Sequence, residues 1–146
     1  MKTRYALKAL TQLAQQPGST VLIAHLAERG RIPRKFLESI LRELKNHGLL
    51  ASQRGRGGGY SLKRSAEEIT LANIIDALDG DVAPVACISR DVDRPCEVCR
   101  NGGTCGVRLV LEDLHEATAS ILERTTLAEL TRRTELAEAP AYRRAV

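Results

Sequence analysis

IPRKFLESILRELKNHGLLASQRGRGGGYSLKR, residues 32–64, decides the architecture. In its first half Phe36, Leu37, Ile40, Leu41 and Leu44 recur at intervals of three and four, the spacing of one buried helical face. Lys35, Glu38, Ser39, Arg42 and Asn46 gather on the opposite face. Pro33 suits the first helical position, because the N–H it lacks would have no partner there. Gly48 can supply a left-handed C-terminal cap. The second half changes period: Leu49–Gln53 and Tyr60–Lys63 are short alternating runs around a glycine-rich tip, the pattern of a β-hairpin.

Upstream, Tyr5, Ala6, Ala9, Leu10, Leu13 and Ala14 predict a helix over 3–15, stopped by Pro17 and Gly18. A second short helix is expected from about Thr20 through Leu26, with Val21, Leu22 and Leu26 inward and Gly30 ending it. The turn Arg29-Gly30-Arg31-Ile32 has the short, glycine-containing form that lays one helix across the next. Downstream, Leu71, Ile74, Ile75 and Leu78 predict a helix over 70–78 that ends at Gly80. Residues 81–106 hold Pro84, Pro95, Gly102 and Gly103 and read as loop. One long helix is expected from Val107 to about Leu130, with a stripe at 107, 111, 114, 118, 121 and 122, apolar apart from Thr118. Its near-3.5 spacing suits a seam between helices, or packing on its own domain.

The fold class is therefore mainly α with a small β wing. Residues 1–80 form a winged helix-turn-helix, 81–106 a cysteine-rich loop, 107–132 a long helix suited to a dimerisation seam or to packing on its own domain, and 133–146 a disordered tail. The 146 residues suit one such unit. With 43% hydrophobic and 27% charged residues, wholesale disorder is excluded. Aromatics at 3%, with no Trp, leave little material for base-stacking platforms. No apolar run approaches the ~18 residues of a membrane span, and the N-terminus MKTRYALKAL lacks a signal-peptide core, so a cytoplasmic protein without a membrane partner is expected.

Charge points to the partner. Residues 1–65 carry 13 Lys and Arg against 3 Asp and Glu, a balance of +10, whereas residues 66–146 carry 9 against 15, a balance of −6. Folding does not need such a split; a basic half does face a polyanion well. Double-stranded DNA is the expected partner, read by the helix over 33–46. Arg34 and Lys35 lie in its first turn, where backbone N–H groups also favour phosphate. Glu38, Ser39 and Arg42 follow on the same polar face. A carboxylate facing DNA is repelled unless it accepts from a base such as cytosine N4, so Glu38 is either a base reader or an ion pair with Arg34 or Arg42. Arg54, Arg56, Gly57 and Gly58 make the hairpin tip, where glycine permits close approach and arginine suits a minor groove or its phosphates. No Gly-Lys-Ser/Thr follows, and a strand rather than a helix comes next, so this is not a nucleotide loop.

The four cysteines, Cys87, Cys96, Cys99 and Cys105, fall within 19 residues. In a reducing compartment such clusters bind metal or act in redox chemistry more often than they form disulfides. Four thiolates satisfy a 2Fe–2S or 4Fe–4S cluster and equally a tetrahedral zinc site. Arg90, Arg94, Arg100 and Arg108 partly offset the thiolate charge. His25, His47 and His115 read as helical positions rather than ligands. No Ser/His/Asp set or paired carboxylate motif points to catalysis.

TRYALKAL, IPRKFLESILRELKNHGLL, RGRGGGYSL and a cysteine cluster leading to a helix ending TTLAEL together resemble the Rrf2 family of bacterial transcription regulators, whose members include IscR, NsrR, RirA and CymR. The likeness runs over about residues 1–130. It implies a homodimer in which the long C-terminal helices cross and the cluster loop packs near the partner's DNA-binding part. It also implies that Glu38 discriminates operator sequence, and that Arg4 and Tyr5 lie near the DNA backbone. Cys99 and Cys105 match the last two cysteine ligands of IscR-like members. The chain departs from two subfamilies at the fourth ligand. Arg108 stands where IscR-like proteins place His, and Arg4 where NsrR-like proteins place Asp, and arginine is not a ligand. Cys87 is left as the fourth thiolate.

The function implied is a DNA-binding regulator modulated by an iron–sulfur cluster that senses iron, oxidant or nitric oxide, with cluster-assembly proteins as further partners. The alternatives are a zinc or thiol-switch regulator of the same fold, and a small iron–sulfur electron carrier or cluster-delivery protein. An electron carrier would leave the basic half and the wing without a role.

Overall fold

The computed structural model describes residues 2–55, 57–80, 88 and 105–139. Arg56, Cys87, Cys96, Cys99, nearly all of the 81–106 loop and the last seven residues lie outside that set. In chain order the elements are α1 (Lys2–Ala14), α2 (Ile23–Gly30), α3 (Arg34–Asn46), β1 (Leu50–Gln53), β2 (Gly59–Leu62), α4 (Leu71–Leu78), α5 (Gly106–Arg124) and α6 (Leu127–Glu138). Six helices and a two-stranded antiparallel wing match the expected class.

The core gathers the inward faces of α1 to α4. Leu10 and Ala9 from α1, Leu26 from α2, Leu37, Ile40, Leu41 and Leu44 from α3, and Ile74 from α4 all have 0% exposure. Full burial of a leucine or isoleucine contributes roughly 1.5–3 kcal/mol, so this stripe dominates the orientation of α3. Gly48 adopts φ +75° just past α3, as the cap reading requires.

Two local expectations are corrected. The second helix begins at Ile23 rather than near Thr20. Val21 is extended and pairs with Tyr60, each N–H donating to the other's carbonyl at 2.8 and 2.9 Å, and Leu22 is exposed rather than inward. Val21 thus serves the wing and not α2. Gly30 ends α2 as expected, still helical and buried, and Arg31 after it takes the left-handed conformation at φ 51°. Gly30 is small for packing reasons, since a Cβ there would lie 2.8 Å from Ile32 Cδ1.

The helix expected over 107–130 is two helices. Thr125 Oγ1 donates back to the Ile121 carbonyl, and Thr126 becomes the N-cap of α6, its Oγ1 accepting from the Glu129 N–H at 3.2 Å. The break swings Leu127 into the core at 0% exposure. Leu127 N–H donates to the Ile69 carbonyl at 2.8 Å, and Leu71 N–H donates to the Thr125 carbonyl at 2.9 Å, so the break is stitched to the start of α4. Helix α6 packs on α1 and α5 on α4. Residues 133–138, expected in a disordered tail, are helical. Within α6, hydrogen bonds from Arg133 and Arg132 hold the Glu129 carboxyl below its ordinary range.

The wing depends on close approach. A Cβ on Gly59 would lie 2.2 Å from the Val21 carbonyl oxygen and 2.6 Å from its carbonyl carbon, both rigid backbone atoms. Gly59→Ala is expected to cost about 1–3 kcal/mol by forcing the hairpin off Val21. Denaturant unfolding checks this; an unchanged midpoint would mean that the bridge does not hold the wing.

Candidate nucleic-acid interface

Helix α3 turns its polar face outward because its apolar stripe is used up inside. Arg34, Lys35, Ser39, Arg42 and Lys45 are exposed, and Glu38 is half-buried. Arg34 Nε meets Glu38 Oε1 at 3.2 Å, with the two side chains 65% and 43% exposed. Of the two roles open to Glu38, the free protein shows the intrahelical pair. An exposed pair of this kind contributes about 0–1 kcal/mol, so breaking it to accept from a base costs little.

Helix α1 braces the recognition helix along one flank. Lys2 Nζ donates to Glu43 Oε1 at 2.7 Å and to the Leu78 carbonyl at 3.0 Å, tying α1, α3 and the end of α4 together. Thr3 Oγ1 bonds Asp79 beside it. One turn on, Tyr5 meets Phe36 edge to face, with ring centroids 5.7 Å apart at 82°. The structure therefore brings Tyr5 against α3, with Arg4 exposed next to it.

The wing tip projects from the other side. Arg54, Gly55 and Gly57 are exposed, and Gly55 and Gly57 take φ +101° and +86°, which a side chain would strain. Gly58 N–H donates to the Gly55 carbonyl at 2.9 Å and closes the turn. Gly57 also lines a groove of about 600 Å³ with Gln16, Thr20, Leu22 and His25, which puts the tip beside the start of α2.

Of the expected metal ligands, Cys105 alone falls among the described residues. It is half-buried at the N-cap of α5. The described residues contain no group of three or more His, Cys, Asp or Glu side chains placed to hold a metal ion. Sequence reasoning missed Lys2 as a brace, for which no local signal exists. It also placed Phe36 in the core, whereas the ring is 39% exposed. A signal was present: at about 100° per residue Phe36 lies roughly 90° from the centre of the Leu37–Leu44 stripe.

The Rrf2 family profile, described as an iron-dependent transcriptional regulator, matches residues 1–133. The chain belongs to the Rrf2 family. A rrf2-like HTH-type transcriptional regulator of Rhodobacter capsulatus is 34% identical over 133 residues, covering 88% of this chain and 89% of that protein. The HTH-type transcriptional regulator IscR of Yersinia pseudotuberculosis is 34% identical over 138 residues, covering 94% and 80%. Among solved structures, CymR, the global cysteine regulator of B. subtilis, superposes with a TM-score of 0.76 at 28% identity, covering 91% of this chain and 95% of CymR. IscR of T. potens gives 0.75 at 26% identity, covering 95% and 89%. As an Rrf2 member the chain is a DNA-binding transcriptional regulator and not an enzyme. No helix among the described residues is long and apolar enough to cross a membrane.

Two substitutions test the surface. Arg54→Ala is expected to weaken binding to all duplexes alike and to lower the slope of log affinity against log salt by about 1. An unchanged slope would take Arg54 out of phosphate contact. Glu38→Ala is expected to relax preference at one base pair, where discrimination of about 1–3 kcal/mol is at stake. Unaltered preference would leave Glu38 as an ion pair only.

Proposed function

We propose that this chain is a homodimeric regulator whose grip on an operator is set by an iron–sulfur cluster, 2Fe–2S or 4Fe–4S, held on Cys87, Cys96, Cys99 and Cys105. The observation that carries the reading is the position of Cys105. It caps the N-terminus of a 19-residue helix that packs on the DNA-binding unit through α4 and buries none of its own residues. A change in the state of the cysteines is thereby delivered directly to α5. The donor set suits the group: four thiolates satisfy either cluster type, and such clusters respond to iron supply, oxidant and nitric oxide.

The residues divide the remaining work. Val107, Val110, Leu114 and Ile121 lie on one face of α5 at 68, 60, 56 and 49% exposure, an apolar stripe that crossing a second copy would bury. Arg34, Lys35, Glu38, Ser39 and Arg42 enter the major groove, and Arg54, Arg56, Gly57 and Gly58 meet the adjacent backbone or minor groove. Arg4 and Tyr5 meet the phosphates beside α3. Two identical readers then engage half-sites about one helical turn, or a multiple of it, apart on one DNA face. Because a ligand shifts an equilibrium only by differential affinity, the loaded loop must favour one spacing of the two readers. Cluster-assembly proteins supply the metal centre in this reading.

Purified without oxygen, the protein is expected to be a brown dimer carrying iron and inorganic sulfide, with operator affinity that changes when the cluster is removed. A colourless protein with stoichiometric zinc would reverse the cofactor assignment. A monomer would remove the α5 seam.

A further inference from the structure

We infer that Phe36 is a specificity-determining residue, its ring meeting the C5-methyl group of one thymine in the major groove. This rests on α3 being the base-reading helix. The other large apolar residues of α3, Leu37, Ile40, Leu41 and Leu44, have 0% exposure, whereas Phe36 keeps 39%. It lies in the first turn of the helix, at the edge of the buried stripe, with the exposed Ser39 three residues on. Its backbone is fixed by the Phe36 N–H donating to the Pro33 carbonyl at 3.0 Å. The edge-to-face contact with Tyr5 then sets the ring plane.

A phenyl ring held this way presents apolar surface in a preset orientation, so little further ordering is needed when a partner arrives. Base edges in the major groove offer hydrogen-bond donors and acceptors, which a phenyl ring cannot use, together with one apolar group, the thymine methyl. Ser39, three residues on and exposed, is the helical neighbour of Phe36 toward the polar face and supplies a hydrogen bond for a flanking base pair. Phe36 thus adds an apolar contact to a surface whose other members are polar or charged.

The test uses a duplex selected from a random pool by the full-length protein. Each thymine is replaced in turn by deoxyuridine, which deletes only the methyl group. The wild-type chain is expected to bind about fourfold more weakly when the methyl read by Phe36 is missing, the worth of one buried methyl. Phe36→Ala is expected to bind the thymine and uracil duplexes equally at that position, and Phe36→Leu to retain part of the difference. Thermal melting confirms that each variant is folded, and Phe36→Leu serves if the alanine variant is not. A wild-type chain indifferent to every uracil substitution would overturn the inference. So would a Phe36→Ala variant that keeps the full thymine preference. A chain that selects no duplex at all would overturn the reading of α3 itself, and the role of Phe36 with it.

Discussion

Burial of four side chains on one helix organises the rest of the molecule. Leu37, Ile40, Leu41 and Leu44 leave no surface in water, and at roughly 1.5–3 kcal/mol each they outweigh any ion pair on the outer face. Rotating α3 to hide its charges would expose the whole stripe. The direction in which Arg34, Lys35, Glu38 and Arg42 point is therefore a by-product of core formation. The same pattern that makes the fold stable leaves a basic surface on the outer face of α3. The braces from α1, Lys2 on Glu43 and Tyr5 on Phe36, refine an orientation that the core has already chosen.

The wing is a second, weaker unit. Two four-residue strands are marginal alone, and this pair gains its support from Val21, which lies in the chain between α1 and α2. That bridge makes the position of the wing depend on the segment between α1 and α2. Glycine at 59 is the condition for it, because the two backbones approach too closely for a Cβ.

Beyond α4 the chain changes character. Helix α5 buries no residue and carries large apolar side chains in the open, whereas α6 returns Leu127 to the core and lies on α1. The threonine pair at 125 and 126 makes this possible by ending one helix and capping the next. The apolar face of α5 is thus left in water by a helix that touches the domain through α4 and ends at the joint with α6.

The amphipathic helix α3, the hairpin, the short helix α4 and the basic half were legible in the residues themselves. Each is a local pattern, and local periodicity, turn chemistry and charge act over a few residues. What the sequence did not disclose were features settled by contacts between distant segments. Val21 left the second helix because a strand 39 residues away offered it two hydrogen bonds. The C-terminal helix broke because burying Leu127 in the common core gained more than one continuing turn. Phe36 stayed partly in water because α1 places Tyr5 against it while four better-aimed side chains fill the interior. Helical period names a face, but only packing decides how far that face extends.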